Sequence, residues 1–153
     1  AQSITTLTES LNATIENRLR PTNFGSWLAE QVRLRAQADV AVINGGSIRT
    51  DSNYGPGPLT KGDLLRILPY PNRVEVLELN GTTLLEAVKV GLSDYPRPKG
   101  GYLQTAGIRV ERDDLFNFLI KVGKNHSAEC SSTTSNERLT THKRFAFSAV
   151  RLE

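Results

Sequence analysis

The run Asp39-Val40-Ala41-Val42-Ile43-Asn44-Gly45-Gly46-Ser47-Ile48-Arg49 decides the fold. Asp39 to Ile43 is short, apolar and rich in β-branching, which predicts a buried strand. It stops at Asn44-Gly45-Gly46, a turn signal, so the strand runs into a loop that continues through Arg49 to Pro58. Loops leaving strand ends are where rigid elements hold side chains over a crevice. Gly45 and Gly46 permit close backbone approach and positive φ angles, and Asn44 offers both a donor and an acceptor. Arg49 presents a planar fork suited to phosphate or sugar oxygens. On local grounds alone, Asn-Gly-Gly reads equally well as an ordinary turn.

Upstream, Phe24, Leu28 and Val32 fall four residues apart with Trp27 alongside, which predicts a helix over Thr22 to Arg35, capped near Thr22. Downstream, Thr60 and Asp63 form a capping signature for a helix that includes Leu64 to Leu68 and is stopped by Pro69. Arg73 to Leu79 reads as a strand ending at Asn80-Gly81, and Thr83 with Glu86 reads as a second capping signature, opening a helix to about Leu92. Pro96, Pro98, Gly100 and Gly101 make a loop, after which Leu103 to Glu111, Phe116 to Val122 and Arg144 to Val150 read as extended. Gly123 to Glu137 reads as a polar loop. The expected fold class is α+β: residues 1–153 as a single domain with one mixed β-sheet and about three helices.

The composition fits that size. The chain has 153 residues, 38% of them hydrophobic, enough for one core. Its net charge of +3 is scattered among acidic residues, which suits phosphorylated ligands without demanding nucleic acid. The aromatics do not alternate with basic residues in the pattern of an RNA-binding strand, which argues against nucleic acid as a partner. No stretch approaches the roughly 18 apolar residues of a membrane span. Ala1 to Thr8 lacks the charged and apolar regions of a signal peptide, so the expectation is a soluble chain, already processed or excised from a longer one. Cys130 is alone and forms no internal disulfide. His126 and His142 are the only histidines and sit in no ligand cluster, and Asp39 and Asp63 are better explained as a strand entrance and a helix cap than as metal ligands beside Asp51. No metal or other cofactor is therefore expected in this chain. Asn12, Asn80 and Asn125 open Asn-x-Ser/Thr triplets, a weak glycosylation signal.

Five ordered motifs between Arg18 and Arg109 then stand together. They are Arg18-Leu19-Arg20-Pro21-Thr22-Asn23-Phe24-Gly25-Ser26, the strand and loop from Ala38 to Arg49, and Gly57 to Leu65 with Leu68-Pro69-Tyr70-Pro71-Asn72 behind it. Leu79 to Ala87 and Gly101 to Arg109 complete the series. In this order they resemble the C-terminal domain of the 5'-nucleotidase and UDP-sugar hydrolase family.

The resemblance implies a division of labour. An N-terminal metallophosphatase domain would hold two divalent, zinc-type metal ions, and this domain would hold a nucleotide or nucleoside. Asn44 and Arg49, with Gly45 and Gly46 between them, match the nucleotide-contacting loop. Arg18 matches a second substrate-binding arginine, although by itself it reads as a surface charge. Tyr70 matches an aromatic that stacks on the base, although by itself it also reads as a half-buried core tyrosine. Two departures stand out. Pro21 replaces the family's glutamate, and the final Gly-Gly-Asp-Gly motif, with its second aromatic and ribose-binding aspartate, is absent before Glu153. Half a base clamp is expected, with Phe116, Phe118, Phe145 and Phe147 read as core from their strand periodicity. The resemblance thus implies a 5'-nucleotidase parent, acting outside the cytoplasm in the extracellular or periplasmic space, from which the isolated chain is inactive. The alternative is a non-catalytic nucleotide-binding or secreted interaction module.

Overall fold

In a computed structural model, the structure of the chain is described for residues 2–112, 118–122, 128–131 and 143–149. In chain order the strands and helices are β1 (Ser3–Leu7), β2 (Leu11–Ala13), α1 (Asn23–Arg35), β3 (Val40–Asn44), β4 (Ser52–Tyr54), β5 (Gly57–Thr60) and α2 (Lys61–Ile67). Then follow β6 (Arg73–Leu79), α3 (Gly81–Gly91), β7 (Leu103–Ala106), β8 (Ile108–Arg112), β9 (Phe118–Val122), β10 (Ala128–Ser131) and β11 (Lys143–Ala149).

The sheet that organises these elements has the order β6-β11-β3-β7. β11 runs parallel to β3, while β6 and β7 pair antiparallel with their neighbours, so the sheet is mixed as expected. β3 is buried along Val40, Ala41, Val42 and Ile43 because both of its faces are covered. Val40 and Val42 pack with Leu84, Leu85 and Val88 of α3 and with Ile120 and Val122 of β9. Ile43 packs on the other side with Ala29 of α1 and Ala106 of β7. A strand buried on two faces gains by being apolar at every position, which is why this run has no alternation. A further cluster of Leu11, Ala13, Phe24, Ile48, Leu59 and Ile67 closes the space between α1, α2 and the short strands.

The structure differs from the sequence expectation in its sheets. Three small antiparallel sheets accompany the mixed one: β1 with β5, β2 with β4, and β8-β9-β10. The polar region from Gly123 to Glu137 thus contains a strand, β10, paired with β9. Among the described residues, no helix is long and apolar enough to cross a membrane.

Two of the three helix starts agree with the expectation. Thr22 caps α1 by accepting the Gly25 N–H at 3.0 Å. Thr60 and Asp63 form a reciprocal capping box on α2. The third start is corrected. Asn80, not Thr83, caps α3, accepting from the Thr83 N–H at 2.8 Å and the Thr83 hydroxyl at 2.9 Å. Asn80-Gly81 is therefore a helix entrance as well as a strand end, and Glu86 instead pairs with Lys89 at 2.7 Å.

The capping box on α2 yields a pH prediction. Hydrogen bonds from the Thr60 hydroxyl and N–H hold the Asp63 carboxyl below its ordinary value. Its contribution is thus present above the unfolded-state value of about 3.9 and is lost as the pH falls through the lower folded value. Thr60→Ala is expected to cost about 1 kcal/mol at neutral pH. Denaturant midpoints measured against pH should show the gap between wild type and Asp63→Asn closing toward pH 2; a gap that holds constant would refute the charged cap.

Candidate functional site

β3 ends at Asn44, and residues 45–47 turn immediately as a short 3₁₀ segment. The Ser47 hydroxyl donates to Asn44 Oδ1 at 2.5 Å, and Asn44 Nδ2 reaches the Gly100 carbonyl at 3.4 Å. The Gly45 N–H donates to the Tyr102 carbonyl at 2.7 Å and the Gly46 N–H to the Gly100 carbonyl at 2.9 Å. The loop is thereby strapped along the segment before β7.

These bonds correct part of the sequence reading of the two glycines. Neither adopts a positive φ; among the described glycines that conformation belongs to Gly55, Gly57 and Gly107. The close approach they permit is to the chain's own backbone: a Cβ on Gly45 would overlap the Asn17 carbonyl, and one on Gly46 would lie 2.8 Å from Gly100 Cα. Their N–H groups are likewise used within the fold.

Arg18 closes a 3₁₀ turn over Ile15–Arg18, and its Cα would lie 3.2 Å from a Cβ on Gly45. The turn is fixed by a buried polar network that joins it to α1 and β7. Asn17 Nδ2 donates to the carbonyls of Asn12 and Thr14, both at 3.0 Å, and Asn17 Oδ1 accepts from the Thr22 hydroxyl at 2.6 Å. Gln104 Nε2 donates to the carbonyls of Asn17 at 2.9 Å and Arg20 at 2.8 Å, while its Oε1 accepts from the Thr22 N–H at 3.2 Å. The Lys99 N–H bonds to the Arg18 carbonyl at 3.0 Å, tying the turn to the same segment that straps the loop. Pro21 is exposed and leaves the capping of α1 intact.

Arg49 stands at the far end of the loop, its N–H donating to the Ile67 carbonyl at 2.8 Å. Its guanidinium lies 5.7 Å from the ring centroid of Tyr70. Tyr70 is 51% exposed, which sets aside core packing as its role. Among the described residues, neither the Arg18 nor the Arg49 guanidinium pairs with a carboxylate. The backbone of Arg18 thus lies behind the loop, the Asn44 amide is bonded within it, and the Arg49 cation and an exposed aromatic ring stand together at its far end. Such a set suits an anionic ligand with a flat apolar part.

The sequence reading missed Asn17 and Gln104. The only signal was positional: in β7 the buried residues alternate as Gln104 and Ala106, which places a polar side chain on an inward position. Phe116, His126, His142 and Asn125 lie outside the described residues, as do the side chains of Phe118, Cys130, Phe145 and Phe147. Among the described residues, no group of three or more His, Cys, Asp or Glu gathers as a metal site.

The family described as 5'-nucleotidase, C-terminal domain, matches residues 3–115. The chain is 33% identical to a 5'-nucleotidase of Vibrio parahaemolyticus over 105 residues, covering 67% of this chain and 18% of that relative. It is 34% identical to a trifunctional nucleotide phosphoesterase of Bacillus subtilis over 95 residues, covering 60% of this chain and 6% of that relative. Among solved structures, a 5'-nucleotidase precursor from Thermus thermophilus superposes with a TM-score of 0.77 at 24% identity, over 95% of this chain and 29% of that one. The NAD nucleotidase of Haemophilus influenzae superposes with a TM-score of 0.71 at 14% identity, over 95% of this chain and 28% of that one. The chain thus spans less than a third of the length of each of these proteins.

Proposed function

We propose, for a chain that belongs to the 5'-nucleotidase C-terminal domain family, that it recognises nucleoside 5'-monophosphates within a two-domain 5'-nucleotidase. The observation that carries this reading is the Arg49 guanidinium, which among the described residues has no carboxylate partner, set 5.7 Å from the ring of an exposed Tyr70. In this reading the arginines make charge-assisted bonds to phosphate or ribose oxygens, Asn44 contacts the nucleotide, and Tyr70 stacks on the base. Gly45 acts by letting the loop lie against the backbone of Asn17 and Arg18, and Gly46 by letting it lie against Gly100. Hydrolysis would fall to an N-terminal metallophosphatase domain, where two divalent metal ions would supply an activated water. We place the parent enzyme outside the cytoplasm, and the isolated chain is inactive.

Arg49 already rests near the ring that the base would use, so the two contacts compete. A cation–π contact at an exposed site is worth about 0.5–1 kcal/mol. Base stacking on an aromatic is worth about 1–3 kcal/mol, so the exchange favours the base and releases Arg49 toward the phosphate. Calorimetric titration with AMP and adenosine tests this. Saturable binding is expected, with AMP tighter than adenosine. Tyr70→Ala should weaken both ligands by up to roughly 70-fold, the stacking less the Arg49 contact it displaces, while Arg49→Ala should weaken AMP far more than adenosine. No heat at millimolar AMP would sink the reading for this chain.

A further inference from the structure

Strand β6 ends the mixed sheet, and among the described residues it pairs only with β11. The N–H and C=O groups that alternate residues turn toward its outer side therefore have no strand partner there. Proteins ordinarily blunt such an edge with proline, a bulge, a very short strand or charge of one sign. β6 has no proline, and its register against β11 runs unbroken over seven pairs from Arg73 to Leu79. Val74 and Val76, 47% and 39% exposed, lie on one face, and Leu77, 48% exposed, lies on the other, so apolar surface reaches the edge on both sides. The opposite edge of the sheet contrasts: β7 has four residues, of which Gln104 and Ala106 are buried. The charges of β6 are of both signs, Arg73 with Glu75 and Glu78, all exposed. Among the described residues none of the three forms an ion pair.

We infer that β6 is a self-association edge, which pairs antiparallel with β6 of a second copy of this chain about a two-fold axis at Val74. Two-fold symmetry requires one residue of the strand to face its own copy, and the charges decide which. An axis at Glu75 sets two carboxylates against each other. An axis at Val76 sets Arg73 against the partner's Leu79 and leaves the charges unmatched. An axis at Val74 sets Arg73 against the partner's Glu75 and Glu75 against the partner's Arg73, with Val74 against its copy between them. Opposite charges directly across an antiparallel pair stabilise it, and like charges destabilise it. The strand is thus complementary to itself, and the pairing consumes the open edge of both copies, so association stops at a dimer. This edge is separate from the Asn44–Arg49 loop, and the inference does not depend on the nucleotide reading.

Sedimentation velocity of the full chain over a concentration series tests the pairing. A monomer–dimer equilibrium is expected, weakened by added salt. Arg73→Glu sets carboxylates against each other on both sides of Val74, and Glu75→Arg does the same with guanidinium groups, so each variant alone should dimerise roughly tenfold more weakly. Mixed in equal amounts, the two variants should form a heterodimer as strong as the wild-type dimer, because every Glu then faces an Arg. A folding fault in either variant cannot produce that recovery. The proposal is overturned if the wild-type chain stays monomeric at millimolar concentration, if it dimerises and neither substitution weakens the dimer, or if the two weakened variants fail to rescue each other in the mixture.

Discussion

Gly45→Ala is expected to lose about 3 kcal/mol of stability, at the upper end of what overpacking costs. The added methyl would overlap the Asn17 carbonyl and approach Arg18 Cα, so it meets backbone instead of the far end of a side chain. That backbone cannot give way cheaply, because Asn17 and Gln104 hold the 3₁₀ turn through buried hydrogen bonds. Nor can the loop retreat without breaking the bond from the Gly45 N–H to Tyr102. Gly101→Ala is the matched control, since nothing lies within 4 Å of its added Cβ and its φ is not positive. The control should change stability by less than about 0.5 kcal/mol. Urea unfolding of both variants decides the matter, and equal midpoints would refute the close-approach account. AMP binding should fall with Gly45→Ala even where the variant stays folded, because Arg18 and Asn44 can no longer approach each other.

The contrast between these two glycines marks what the sequence could and could not convey. β3 was legible because a strand buried on both faces writes its position as an unbroken apolar run, Val40 to Ile43. The starts of α1 and α2 were legible because the caps are local, with Thr22 and Thr60 each bonding three residues ahead. β1, β4 and most of the partners that make the small sheets were not. Residues 3–6 of β1 are exposed, so they carry no hydrophobic pattern, and their strand identity comes only from pairing with β5 more than fifty residues away. Asn80 was misread because Asn-Gly is both a turn signal and a good helix entrance, and only the geometry of Thr83 separates them.

The site divides along the same line. Motif order pointed to Arg18, Asn44, Gly45, Gly46, Arg49 and Tyr70, and in the fold the backbone of Arg18 lies against Gly45 while Arg49 rests near Tyr70. What keeps Arg18 there could not be read, since Gln104 reaches its partners Asn17 and Thr22 across 87 and 82 residues. A buried polar residue reveals its role only through the atoms that satisfy it. Gly45 likewise looked suited to a turn or to ligand approach, and it serves the approach of one chain segment to another.

Gln104→Leu should cost about 3 kcal/mol, the net of two opposed effects. The substitution removes three hydrogen bonds. The Thr22 N–H and the Asn17 carbonyl are left buried without these partners, and each such orphan costs about 1–3 kcal/mol. The Arg20 carbonyl is less buried and can turn to water. Against this, an added buried apolar side chain recovers about 1–2 kcal/mol at most, because Gln104 already fills the space between Gly25 and β7. Gln104→Glu keeps the acceptor for Thr22 but turns a buried carboxylate toward two carbonyls, so it should be at least as damaging. Thermal unfolding checks the magnitude, and hydrogen exchange checks the mechanism: the Thr22 and Gly25 amides should lose protection in Gln104→Leu while amides of α3 keep theirs. If the network acts as one unit, Thr22→Val added to Gln104→Leu should cost less than the sum of the separate changes. Strict additivity would mean that Gln104 and Thr22 act independently, and that the buried network does not fix Arg18 beside the loop.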